Sequence, residues 1–135
     1  MTARSTARKR ALDVLYETDL RGTSAVDTVA ERIAVADPPV PEYAVTLVEG
    51  VAGHRARIDE IIASYAEGWT IDRMPTVDRN ILRIGVYELL WCDDVPDAVA
   101  VDEAIELAKA LSTGDSPRFV NGLLGRIIRS RPVVS

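Results

Sequence analysis

Two short stretches hold the residues whose types and spacing could do chemistry. Arg4, Arg8, Lys9 and Arg10 place four cations in the first ten residues, ahead of any acid. RNA recognition commonly uses such Arg-rich segments, which order on binding, although a charged terminus can also be merely solvated. Of the 16 basic residues only Lys9 and Lys109 are lysines, and the guanidinium fork suits phosphate and base stacking better than an ammonium does. The second stretch is "DSPRFVNGLLGRI", residues 115–127. Ser116 can cap a helix, Pro117 suits its first position, and Val120, Leu123, Leu124, Ile127 and Ile128 form one apolar face. That leaves Phe119 and Asn121, in the first turns, as either packing or recognition residues.

Catalytic chemistry finds little support. His54 and Cys92 are the only histidine and cysteine, so neither a metal cluster with ligand spacing nor a Cys/His pair in sequence proximity is visible. Asp93 with Asp94, and Asp102 with Glu103, fall at expected helix boundaries, where acids serve capping and the macrodipole. The glycines form no phosphate-binding loop. The expectation is a binding protein, not an enzyme, without cofactor or metal. Two further features suit packing or solvation first and binding second. Tyr16 lies at helical spacing from Leu12, as a core residue or a stacking platform would. Arg79, Arg83 and Tyr87 recur every four residues beside Asp78 and Glu88, which reads as solvated helix pairs or as a partner-binding face.

The elements that must position these residues are helices. Ala7, Ala11, Val14, Leu15 and Leu20 carry a first helix to Arg21, where Gly22 stops it. Ser24 with Asp27 starts a second, facing inward with Val26, Val29, Ala30 and Ile33. "ADPPVP" is the one linker-like stretch. From Pro41 a longer pattern runs to about Glu67, with Gly50 and Gly53 at a kink or close crossing. "GWTIDRMPT" connects to a central helix capped by Thr76, in which "VDRNILRIGVYELLW" is apolar on more than one face, as a helix contacted from several sides should be. Asp102 is the expected cap of the next, with Ala104, Ile105, Ala108 and Leu111 inward. Strand-like alternation is confined to the short run Val99–Val101. The fold expected is all-α, six or seven helices in two small packed bundles, about 1–67 and 68–135. With 135 residues the chain is the size of one domain. The single cysteine and the lack of a membrane-length apolar run place it in the cytoplasm.

Net charge is −5, but taking away the four N-terminal cations leaves 12 basic residues against 21 acidic ones. A basic arm on an acidic body should bind RNA weakly alone, because few phosphates can be neutralised. A basic partner would supply the missing cations and dock on the acidic face.

Together "ARKRALDVLYETD", the Trp69 connection, "VDRNILRIGVYELL" and "VPDAVAVDEAIELAKALSTGDSPRFVNGLLGRI" resemble the NusB family of transcription antitermination factors, over nearly the whole chain and in the family's order. The resemblance implies an all-helical fold in two small bundles and no catalysis. It implies binding of boxA-type RNA of nascent ribosomal transcripts together with NusE, the small-subunit ribosomal protein S-ten, in a larger complex with NusA, NusG and RNA polymerase. The family's arm falls on Arg4, Arg8, Lys9 and Arg10, and its aromatic near the RNA on Tyr16. Asp115, Ser116, Phe119 and Asn121 fall at the RNA-facing start of the last helix, with Asn121 favoured as a residue that holds two helix ends together. Asp78 and Glu88 fall toward NusE, with Arg79 and Tyr87 on the same helix. A homodimer is compatible with the resemblance. The alternatives are a protein-only helical adaptor and an RNA-targeting module for an RNA methyltransferase.

Overall fold

The computed structural model describes residues 2–35 and 39–134, so Ala36, Asp37 and Pro38 of the expected linker lie outside the described residues. Seven α-helices and one 3₁₀ turn make up the described residues, with no strand among them. The chain forms two compact units that divide at Gly53 and His54 rather than near residue 67.

The N-terminal unit holds α1 (Ala3–Arg21), α2 (Ala25–Ala34) and α3 (Glu42–Gly53). Thr2 caps α1 by accepting from the Ser5 N–H at 3.0 Å. Gly22 ends it in the left-handed region at φ 67°, donating its N–H to the Thr18 carbonyl. Thr18 takes the core position in the last turn, its hydroxyl donating to the Val14 carbonyl at 2.9 Å. Leu20 lies two residues further round and is 60% exposed, against the inward position expected of it. Ser24 caps α2 by accepting from the Asp27 N–H at 3.2 Å. Only Val29 of this helix is buried; Val26, Ala30 and Ile33, expected inside, are exposed.

The C-terminal unit holds α4 (Arg55–Tyr65), the 3₁₀ turn Ile71–Arg73, α5 (Thr76–Trp91), α6 (Asp97–Leu111) and α7 (Ser116–Ser130). The continuous helix expected from Pro41 to Glu67 is therefore two helices. A Cβ on Gly53 would meet nothing within 4 Å, so this glycine marks the break and not a close crossing. Gly85, in the middle of α5, does mark one, since a Cβ there would come within 3.0 Å of the buried Leu124 side chain. Helix starts lie slightly off their expected places. Thr76 is the first residue of α5 and Pro75 precedes it. Asp102 lies inside α6, which already begins at Asp97. That earlier start gives a stripe of Ala100, Ala104, Leu107 and Ala108 inside, leaving Ile105 half-buried and Leu111 exposed.

A polar knot sits inside this unit. Arg83 is 2% exposed, and its guanidinium donates from Nε to Asp59 Oδ1 at 2.8 Å, from Nη2 to Asp59 Oδ2 at 3.1 Å and from Nη1 to Asn80 Oδ1 at 3.0 Å. Asn80 in turn donates to the Thr76 carbonyl at 2.8 Å. The fork–fork geometry ties α4 to α5 and satisfies a charge that burial alone would make costly. At the other end of the unit, Arg131 caps α7 with a positive φ of 42°. Its side chain donates to both Asp97 oxygens and to the Leu89 carbonyl, joining the ends of α5, α6 and α7.

Candidate nucleic-acid interface

The four N-terminal cations do not form a loose arm. α1 begins at Ala3, so they ride on its first turns. Arg4 places its Cζ 4.1 Å from the centre of the Tyr43 ring on α3, and Arg8 does so at 5.6 Å. Cation–π contact of this kind is strongest where water is excluded. Arg8 is itself 2% exposed, which corrects its assignment as a phosphate contact: a buried guanidinium over a ring cannot neutralise a phosphate in solvent. Arg4 and Lys9 are exposed and Arg10 half-buried. Tyr16 is 37% exposed, so it is a surface ring and not a core residue.

In the C-terminal unit the turn from α6 to α7 builds a cavity of about 420 Å³ lined by Trp69, Pro75, Asp78, Thr113, Asp115, Ser116 and Phe119. The half-buried Phe119 ring packs against Trp69 at 5.5 Å between centroids, tilted by 38°. Trp69 keeps 49% of its surface exposed. Asp115, not Ser116, occupies the N-cap position of α7, and its side chain makes no capping hydrogen bond. Pro117 in that first turn has no N–H to offer it. Ser116 is instead the first helical residue, and its hydroxyl donates to Asp78 Oδ2 at 2.7 Å. Ser112 donates to Asp78 Oδ1 at 2.6 Å, and the two serine oxygens lie 2.9 Å apart. The buried Asp78 carboxylate thus pins the turn that carries Asp115 and Phe119. Asn121 is exposed on α7 and makes none of the helix-end hydrogen bonds expected of it.

The expected acidic partner face does not form. Asp78 and Glu88 are both buried, so neither offers a rim charge to a partner. Arg79 is half-buried and reaches the Ile71 carbonyl at 3.5 Å. Tyr87 stacks with Trp91 at 6.0 Å and with His54 at 6.2 Å, and His54 stacks on Trp91 at 4.6 Å. Burial, with a smaller effect from Cys92 beside it, raises the Tyr87 phenol above its ordinary value. Asp78→Ala should leave both serine hydroxyls without their acceptor and cost about 1–3 kcal/mol. Thermal melting of Asp78→Ala, Ser116→Ala and the double variant measures this. Strict additivity of the two losses would mean that the hydrogen bond contributes nothing.

Sequence reasoning missed Trp69 as a wall of the cavity and Asp59 as the partner of Arg83. Trp69 carried a signal, a lone large aromatic in a polar connection. Asp59 carried none, since its partner lies 24 positions away. Among the described residues no group of acids, His and Cys is arranged to hold a metal ion, and no helix is long and apolar enough to cross a membrane.

Among the described residues the chain is an all-helical protein of seven α-helices, with cations and a tyrosine on one helix and a ring-walled cavity at the start of another. The chain belongs to the NusB family, whose model matches residues 5–129. It is 67% identical over 129 residues to the transcription antitermination protein NusB of Saccharopolyspora erythraea, covering 94% of this chain and 87% of that one. Among solved structures it is similar to NusB of T. maritima, with a TM-score of 0.84 and 35% identity over 95% of this chain and 92% of that one. It is also similar to a chain in the crystal structure of antitermination factors NusB and NusE in complex with double-stranded RNA, with a TM-score of 0.83 and 32% identity over 94% and 96% of the two chains.

Proposed function

We propose that this chain is a transcription antitermination factor that binds boxA-type RNA together with NusE, ribosomal protein S-ten, in the cytoplasm and without catalysis. The observation that carries the reading is the Trp69–Phe119 pair beside Asp115, a half-open aromatic wall at the place where family resemblance puts RNA. Such rings serve unstacked bases, because every base has a π-face. Arg4, Lys9 and Arg10 add cations for phosphates, and Tyr16 a further exposed ring. The basic ribosomal partner meets exposed acids such as Asp72, Asp93 and Asp102 in place of the buried Asp78 and Glu88. The assembled complex then works with NusA, NusG and RNA polymerase.

The test is titration of a single-stranded boxA-type RNA, with and without NusE, for wild type and Trp69→Ala. Wild type should bind more tightly with NusE present. The variant should keep its melting temperature nearly unchanged, because the indole is half exposed, and lose about 1–3 kcal/mol of RNA affinity from one stacked base. NusE binding without any RNA binding would favour the protein-only adaptor. RNA affinity identical in the variant would remove the cavity from the interface.

A further inference from the structure

Arg4 and Arg8 lie one turn apart on the same side of α1, and like charges at that spacing repel one another. Tyr43, half-buried in the first turn of α3, offsets this by receiving both guanidinium groups, Arg4 with its Cζ 4.1 Å from the ring centre and Arg8 at 5.6 Å. The two cations end in opposite surroundings. Arg8 is buried and fixes the ring from the protein side, whereas Arg4 stays exposed to solvent. The first turn of α1 carries no acid, so nothing on that turn cancels the field of Arg4. Among the described residues Lys9 and Arg10 meet no ring of this kind.

Resting on the proposed RNA-binding function, we propose that Tyr43 is a positioning residue for RNA: its ring holds the Arg4 guanidinium in place for a backbone phosphate without touching the RNA itself. An arginine side chain has many rotamers, and immobilising it on a ligand costs binding free energy. A ring that holds the cation beforehand removes part of that cost, because the ordering has already been met in the folded chain. The contact does not use up the cation. Attraction to the ring acts electrostatically through the ring face, whereas a phosphate is held by charge-assisted bonds from N–H donors, so one guanidinium serves both. Arg8 completes the arrangement. Buried against the same ring, it keeps Tyr43 from turning away when Arg4 meets its phosphate. Of the three N-terminal cations that reach solvent, Arg4 is therefore set in advance, while Lys9 and Arg10 must be ordered by the RNA.

The experiment is a double-variant cycle on the full chain. Affinity for a single-stranded boxA-type RNA is measured across a salt series with NusE present, at a temperature where melting curves show each variant folded. Tyr43→Leu should weaken RNA binding about 2- to 12-fold, the equivalent of one rotamer-rich side chain ordered on binding instead of before it. The salt slope should stay that of wild type, because Arg4 still reaches its phosphate and releases the same counterions. Tyr43→Phe should restore the affinity, since phenylalanine presents the same kind of ring face. In an Arg4→Gln background Tyr43→Leu should cost nothing further, whereas in a Lys9→Gln background its cost should be undiminished. Tyr43→Phe carrying several ring fluorines keeps shape and packing while its face loses negative character, so it should behave as Tyr43→Leu and gives the same reading if the leucine variant fails to fold. Wild-type affinity in the leucine or fluorinated variant, an equal cost with and without Arg4, or a loss in Tyr43→Phe as large as in Tyr43→Leu would overturn this assignment and leave the RNA reading standing. Absence of RNA binding by wild type, with or without NusE, would overturn both.

Discussion

Asp59→Ala should destabilise the C-terminal unit by about 3 kcal/mol, a fall of roughly 10 °C in melting temperature for a chain of this size. The deleted carboxylate accepts two hydrogen bonds from Arg83, whose side chain is buried, so the substitution removes the bidentate Asp59 partner of that guanidinium. Asp59 is itself partly open to water and also pairs with the exposed Arg55 at 3.0 Å. That places the loss at the lower end of the range for broken buried pairs, about 3–5 kcal/mol. Replacing both partners, Asp59→Leu with Arg83→Met, should recover much of the loss, because the buried guanidinium is removed together with the carboxylate that offsets its desolvation. A single variant within about 0.5 kcal/mol of wild type in denaturant unfolding would show that the pair is not buried in solution. A double variant less stable than Asp59→Ala would show that the pair contributes more than its own desolvation.

The same pair shows what could be read from the sequence. Features fixed within one helical turn were legible: Gly22 as a stop, Ser24 with Asp27 as a start, and the Val120, Leu123, Leu124, Ile127 stripe of α7. Each depends on neighbours three or four residues away. The break between α3 and α4 was hidden, because the apolar pattern of Leu47, Val48, Val51, Ile58 and Ile61 runs across Gly53 and His54 without interruption. Charged residues misled in one direction. Asp78, Arg83 and Glu88 read as a solvated or partner-facing stripe, since such residues are almost never buried unless paired. Asp78 and Arg83 are in fact paired, but with Ser112, Ser116 and Asp59, at separations that no local rule reaches. At the candidate site the residue types of α7 were legible and the cavity was not. Asp115 and Phe119 were singled out from their own helix, whereas Trp69, which makes them a cavity wall, arrives from a different part of the chain.

Replacing Arg4, Lys9 and Arg10 together by Gln should flatten the dependence of log RNA affinity on log salt by about 2 units, at about 0.7 for each single-stranded phosphate that is no longer neutralised. Gln ranks with Arg and Lys in helix propensity, so α1 should still form, and Thr2 and Gly22 continue to hold its ends. Between about 50 and 200 mM salt a change of that size amounts to about 16-fold in how far affinity falls. Arg8 separates this from a general effect of charge. Its guanidinium is buried over Tyr43, so Arg8→Gln should lower stability by about 1–2 kcal/mol by removing the cation from the ring face, and leave the salt slope of the folded protein as it was. NusE binding should survive the triple substitution, because removing positive charge cannot weaken the attraction between this chain and a basic partner. The measurement is affinity for a boxA-type RNA across a salt series with NusE present throughout, beside melting curves for each variant. An unchanged slope and affinity in the triple variant would mean that these cations are only solvated. A slope reduced by Arg8→Gln as much as by any exposed cation would mean that Arg8 leaves the Tyr43 ring to meet RNA.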